Sequence, residues 1–216
     1  VALKQFDRAE ELAGQIPLVP HAQACRMHVL AAAGKPQQLV EVFGSADISQ
    51  WPERLRGEAY LRRGEAWMRI KRGREAASDF DSAVSFLLDA NSKGYCLNLL
   101  GDTHRHLLKD DAQAMAAYER SLEQGTVYKQ CQAAINLAEI LTNHQKSVEA
   151  LKVLDRVDAN ELTAPYWRGK LLLSQGRVLA LAGRKSHAVE RFAAALQIPD
   201  LPAEIRREIE QAQREL

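Results

Sequence analysis

Three observations predict an all-α repeat protein. Apolar residues recur with helical rather than strand spacing, and strand-like alternation is nearly absent. Gly and Pro fall mostly between those periodic segments, where helix ends belong. A three-residue signature also returns along the chain: a small residue, a large one four later, and a small one three after that.

The signature occurs as Ala2, Phe6, Ala9, then as Leu39, Phe43, Ala46, with Leu39 replacing the first small residue. It returns as Ala76, Phe80, Ala83, as Ala114, Tyr118, Ser121, as Ala150, Leu154, Val157, and as Ala188, Phe192, Ala195. Spacings of four and three place all three residues on one helix face. The small ones admit a neighbouring helix and the large one fills the gap. About sixteen residues upstream of the later copies a second small residue recurs, as Gly64, Gly101, Ala138 and Gly176, with Met27 a poor match. A mid-helix Gly costs about 1 kcal/mol relative to Ala. Its return at one relative place predicts close helix crossing.

Taken in order, the elements are delimited by their punctuation. Val1 to Gly14 reads as the second helix of a unit whose first helix is missing, as expected of a piece cut from a longer array. Ala33-Gly34-Lys35-Pro36 ends one helix and begins the next. Asp110, three residues before Gln113, is a capping-box signature, and Gly125-Thr126 pairs a stop with an N-cap. Thr163-Ala164-Pro165 and Asp200-Leu201-Pro202 read as helix starts, and Ala182-Gly183 as a stop. These breaks predict about a dozen helices of roughly ten to eighteen residues, joined by links short enough to make neighbours antiparallel. The units are 20–53, 57–90, 94–128, 131–164 and 169–202, forming a single array over 1–216. In 203–216, Ile205, Ile209, Ala212 and Leu216 form one apolar stripe backed by Glu, Arg and Gln, as in a terminal cap.

The pattern resembles the tetratricopeptide (TPR) repeat. The unit from Gly57 to Ala90 carries Tyr60, Gly64, Trp67, Ala76, Phe80 and Ala83 in that family's slots, and the last unit matches through Gly176, Gly183, Ala188, Phe192 and Ala195. The resemblance covers nearly the whole chain. It implies a right-handed α-α superhelix of about five helix pairs, with a half-repeat at the start and a capping helix at the end. The chain departs from the family in period: its large residues lie 36 to 38 apart, against 34 in the family, and the terminal Pro is mostly missing. The third unit carries one further residue between Gly101 and Ala114.

Composition limits function. The chain of 216 residues has a formal net charge of +1, with 26% charged and 46% hydrophobic residues. That suits a folded chain and supplies no basic footprint for nucleic acid. No apolar run of about 18 residues exists to span a membrane. Cys25, Cys96 and Cys131 are odd in number and widely spaced. They fit neither a disulfide framework nor a zinc or redox pair, and read as reduced thiols. His104 and His106 point to different helix faces, and neither HExxH, a phosphate loop nor GxSxG occurs. The expectation is a non-enzymatic, cytoplasmic chain without cofactor or metal.

In the resembling family the first helix of each pair lines the concave side, the usual binding surface. Counting from the Gly positions places His28, Glu65, Asp102, Glu139 and Arg177 in one row there. Arg69, Arg105, His106 and Asn143 lie a turn further on, Asn98 and Lys170 a turn earlier, with Arg62, Asn136 and Tyr95 nearby. The result reads as an acidic strip edged with Arg and Asn, suited to a basic or mixed-charge segment of a partner protein. The same residues also read as intrahelical pairs, Glu65 with Arg69 and Asp102 with His106, each contributing about 0.2–0.5 kcal/mol. TPR domains that clamp the C-terminal carboxylate of heat-shock chaperones present Lys and Asn where this chain has Glu65, Asp102 and Glu139, so no such clamp is expected. Trp51, Tyr166 and Trp167 fall outside the packing slots and read as contact surface. The expected function is a protein-interaction scaffold, the alternatives a regulatory repeat domain of a larger signalling or transcription protein and a self-association module that makes a homo-oligomer.

Overall fold

The computed structural model describes residues 19–216. The opening half-unit with Ala2, Phe6 and Ala9 lies outside the described residues. The chain divides into two compact units, with the boundary between Ala114 and Met115. The first holds α1 (Pro20–Ala32), α2 (Pro36–Phe43), a 3-10 turn (Ile48–Gln50), α3 (Glu53–Arg69), α4 (Gly73–Phe86) and α5 (Ala90–Asp102), which a π-helical turn (Thr103–Leu108) prolongs. Helix α6 (Asp111–Gln124) starts at the end of the first unit. The second unit continues with α7 (Val127–Asn143), α8 (Ser147–Leu154), α9 (Pro165–Leu181), α10 (Lys185–Leu196) and α11 (Ala203–Arg214). The described residues contain no strand.

Successive helices pair and the pairs stack, as in TPR arrays. In the first unit α1 packs on α2 and α3, α3 on α4, and α4 on α5. In the second, α9 packs on α7, α8 and α10, and α11 covers α9 and α10. First helices begin at Glu53, Ala90, Val127 and Pro165, four residues ahead of where the repeat pattern starts. Helices α2 and α8 have only 8 residues each, shorter than expected, and end at the buried Phe43 and Leu154.

The Gly slots make the predicted crossings. A Cβ on Gly64 would stand 2.8 Å from the Phe80 ring, and one on Gly176 would stand 2.3 Å from the Phe192 ring. Both rings are fully enclosed. Burying a side chain of this size contributes roughly 1.5–3 kcal/mol before entropy. Only a residue without a side chain lets the ring approach the first helix so closely.

One turn joins the two helices of each pair. Gly34, Lys71, Lys109, Gln145 and Gly183 all have φ between 58° and 75°, the left-handed region. In four turns the next N–H returns to the carbonyl five residues back: Lys35 to Leu30, Arg72 to Trp67, Lys146 to Leu141, Arg184 to Leu179. Those bonds satisfy carbonyls that a helix end leaves open. In the third pair the return bond runs from Asp110 to His104, one residue longer. The extra residue between Gly101 and Ala114 is thus absorbed by the π turn, so Ala114 keeps its place. Leu107 and Leu108 of this turn pack 2.9 Å and 3.0 Å from where a Cβ on Gly73 would stand. The Asp110 carboxylate accepts from Gln113 N at 3.0 Å, the predicted cap, whereas Thr126 makes no side-chain cap.

Trp51 is a correction. It is buried and meets Phe43 edge-on at 6.4 Å, closing the first pair from below. Cys25 is exposed whereas Cys96 and Cys131 are buried, and burial pushes the Cys131 thiol up to about 12.

Candidate functional site

A cavity of about 260 Å³ opens in the first unit where α1, α3 and α5 come together. Its floor is Ala31, Ala32, Leu39 and Ala66, with Pro36 at the edge. Its polar wall is His28, Arg62, Glu65, Arg69 and Tyr95. Five candidate residues from three successive first helices therefore meet in one place. They do so because small residues at 31, 32 and 66 keep the helices close while longer side chains stand around them.

The wall is internally bonded. Arg62 donates to Glu65 Oε2 at 2.9 Å and, from its other nitrogens, to Glu58. Tyr95 donates its hydroxyl to Glu65 Oε1 at 2.7 Å, across a sequence distance of 30 residues. Both oxygens of Glu65 are thereby engaged. Burial works to lower the Arg62 pKa, and Glu65 and Glu58 outweigh it, leaving the guanidinium above its ordinary value. Burial, and then the bond to Glu65, push the Tyr95 hydroxyl up to about 12. Arg69 is exposed and forms no hydrogen bond or ion pair with any described residue. The expected Glu65–Arg69 pair on α3 is therefore replaced by Glu65–Arg62 and Glu65–Tyr95.

The other candidates are placed differently. Asn98 is enclosed within the first unit, 1% exposed. Asp102 and Arg105 are half-buried on α5 and the π turn, and neither is free; His106 is exposed. In the second unit, Asn136, Glu139 and Asn143 lie along α7, with Asn136 half-buried and the other two exposed. Asn136 and Glu139 are not free either. Lys170 and Arg177 both reach Glu208 of α11, at 2.9 Å and 3.7 Å. The capping helix thus engages the cations of that row. Tyr166 and Trp167 meet edge-on at 5.1 Å, with Tyr166 36% exposed.

Arg63 escaped the sequence reading. It lies buried in α3, donates to Asp79 at 2.7 Å and 2.8 Å, and caps the end of the preceding pair through Ala46 O at 2.7 Å and Phe43 O at 3.1 Å. An Arg directly before the crossing glycine Gly64 was its only sequence signal. Among the described residues no cluster of His, Cys, Asp and Glu could hold a metal, and no helix is long and apolar enough to cross a membrane.

Solved structures of low sequence identity share this fold. YrrB, described as a TPR protein with an unusual peptide-binding site, superposes with a TM-score of 0.60 at 18% identity, covering 97% of each chain. BtubC from P. vanneervenii gives 0.68 at 16% identity, covering 96% of this chain and 91% of its own. The apo quorum sensor NprR from B. thuringiensis gives 0.68 at 12% identity, with 97% of this chain against 62% of its own. The fold is that of a TPR-like helical repeat. No protein-family model and no curated protein matches the sequence.

Proposed function

We propose that this chain is a protein-interaction scaffold whose first unit holds a segment of a partner at the cavity between α1, α3 and α5. The observation that carries this reading is the cavity itself: an apolar floor under a wall of polar side chains drawn from three helices. Its wall is held in place before any partner arrives, since Arg62, Glu65 and Tyr95 restrain one another. Preorganisation of that kind lowers the ordering cost of binding. A peptide or helix lying across successive first helices touches this wall and buries its apolar side chains on the floor. YrrB, with its peptide-binding site, lends support by analogy of fold only. Asp102 and Arg105 in the first unit, and separately Asn136, Glu139, Asn143, Lys170 and Arg177 in the second, are proposed as further contact residues, and a net charge of +1 argues against nucleic acid as the ligand.

Site-specific photo-crosslinking tests the reading. A photoreactive residue at Ala32, on the cavity floor, is compared with one at Glu210, on the capping helix. Crosslinks to one defined segment from position 32 and not from 210 are expected. Equal labelling from both positions would reject the cavity as the binding site. Crosslinks to a second copy of this chain would favour self-association instead.

A further inference from the structure

We infer that the group received by this cavity is a side-chain carboxylate, a Glu or Asp set among apolar residues of the partner, and that Arg69 is the residue that receives it. The inference deepens the scaffold reading and rests on it. The acidic row looked, in sequence, like a receptor for cations. The structure gives the acid on this cavity other work: Glu65 has a bond on each oxygen, and Asp102 and Glu139, which also carry interactions of their own, do not line the cavity. The cations fare likewise, with Arg62 on Glu58 and Glu65, and Lys170 and Arg177 on Glu208. Arg105 is not free either. Arg69 differs: its five N–H donors meet no acceptor among the described residues, and it stands on the cavity wall.

Charge and shape agree on the occupant. Within the lining Arg62 is already taken by Glu65 and Glu58, so the charge left to be met is that of Arg69, and one monovalent anion meets it. A dianion such as phosphate would face the Glu65 carboxylate with its second charge unmatched. The floor of Ala31, Ala32, Leu39 and Ala66 accepts methylenes and small apolar side chains on either side of the carboxylate. A side-chain carboxylate has the partner's chain continuing on both sides, so its flanking residues can cover that floor, whereas a chain-terminal one has chain on one side only.

Immobilised synthetic peptide sets with amidated C-termini test this. Each set has randomised apolar flanks and a fixed centre of Glu, Gln or Lys; a fourth set has Gln at the centre and a free C-terminus. The intact chain should retain the Glu set about tenfold better than the Gln set, the size of one hydrogen-bonded charge pair. Arg69→Gln should remove the preference, and Arg69→Glu should turn it towards Lys. Both variants should keep the unfolding midpoint, since Arg69 is exposed and pairs with no described residue. A preference of the unaltered chain for the Lys set, or for the free-C-terminus set over the amidated Glu set, would overturn the inference and leave the scaffold reading intact. A Glu preference that survives Arg69→Gln would also overturn it, by moving the contact elsewhere. Retention of no set at all would reject both.

Discussion

The two units solve one packing problem with different polar fillings. In the first, the residue before the crossing glycine is Arg63, which joins α3 to Asp79 of α4 and to two carbonyls of the preceding pair. In the second, the residue before Gly176 is Gln175, and the place of Asp79 is taken by Arg191. Gln175 donates to Asp155 at 2.9 Å, while its own carbonyl oxygen is buried without a partner. Asp155 can only accept, which fixes the amide with nitrogen towards it and oxygen away. The surrounding crevice, lined by Arg168, Gln175 and Arg191 among others, holds about 450 Å³. The crevice around Arg63 holds about 300 Å³. Both units nevertheless cross their helices with a ring against a glycine. The glycine and the ring therefore set the crossing, and the polar slot sets how firmly one pair is tied to the next.

The largest effect expected from breaking this comparison is at Arg63. Burial pushes the Asp79 carboxyl up, against the pull of the Arg63 fork. Removing the guanidinium strands a buried carboxylate. Arg63→Leu should destabilise the first unit by about 3–5 kcal/mol, read as lost hydrogen-exchange protection in α3 and α4. Arg63→Leu with Asp79→Leu should recover most of it. Gln175→Leu in the second unit should change stability by about 1 kcal/mol or less, because it removes one bond together with an unsatisfied oxygen. Equal losses at Arg63 and Gln175 would show that the two slots are equivalent after all.

Next come the crossing glycines. Gly64→Ala and Gly176→Ala each force a ring to retreat and should cost about 1–3 kcal/mol. The change at 176 should cost more, since its Cβ would sit at 2.3 Å against 2.8 Å. Urea midpoints of the two variants compare them directly.

The connecting turns give a smaller effect. Lys71 and Gln145 occupy the left-handed region that Gly34 and Gly183 occupy elsewhere. An L side chain costs roughly 1–2 kcal/mol there, partly offset by the backbone entropy that glycine loses on folding. Lys71→Gly and Gln145→Gly should each stabilise by about 0.5–1 kcal/mol, and Gly183→Ala should destabilise by a similar amount, all measurable as thermal midpoints.

The smallest effect is at alkaline pH and belongs to the first unit. Tyr95 ionises at about 12 in the folded chain, above the ordinary value of 10.0. The unfolded chain releases that proton first, so the stability contributed by Tyr95 is present below about 10 and is lost as pH rises through 12. Ultraviolet titration should show a late-ionising tyrosine whose midpoint falls in the Glu65→Gln variant, which identifies it as Tyr95.

Whatever depends on helical period and side-chain volume was readable in the sequence. Periodicity located the helices, Gly64 with Phe80 and Gly176 with Phe192 located the crossings, and Gly34 and Gly183 located two turns. Even the π turn was foreshadowed by one surplus residue between Gly101 and Ala114. Such features follow from backbone geometry and side-chain volume, which act locally and repeat. Which charges were engaged was decided only in three dimensions. Glu65 read as an acid of the strip or a partner of Arg69 because Tyr95 is 30 residues away, and Lys170 read as available because Glu208 is 38 residues away. Lys71, Lys109 and Gln145 gave no sign of their left-handed backbone, since the stacked helices impose it against the residues' own preference. Pairing across a helix crossing depends on how far a long side chain reaches and on which neighbour competes for it, and neither has a period that a sequence can display.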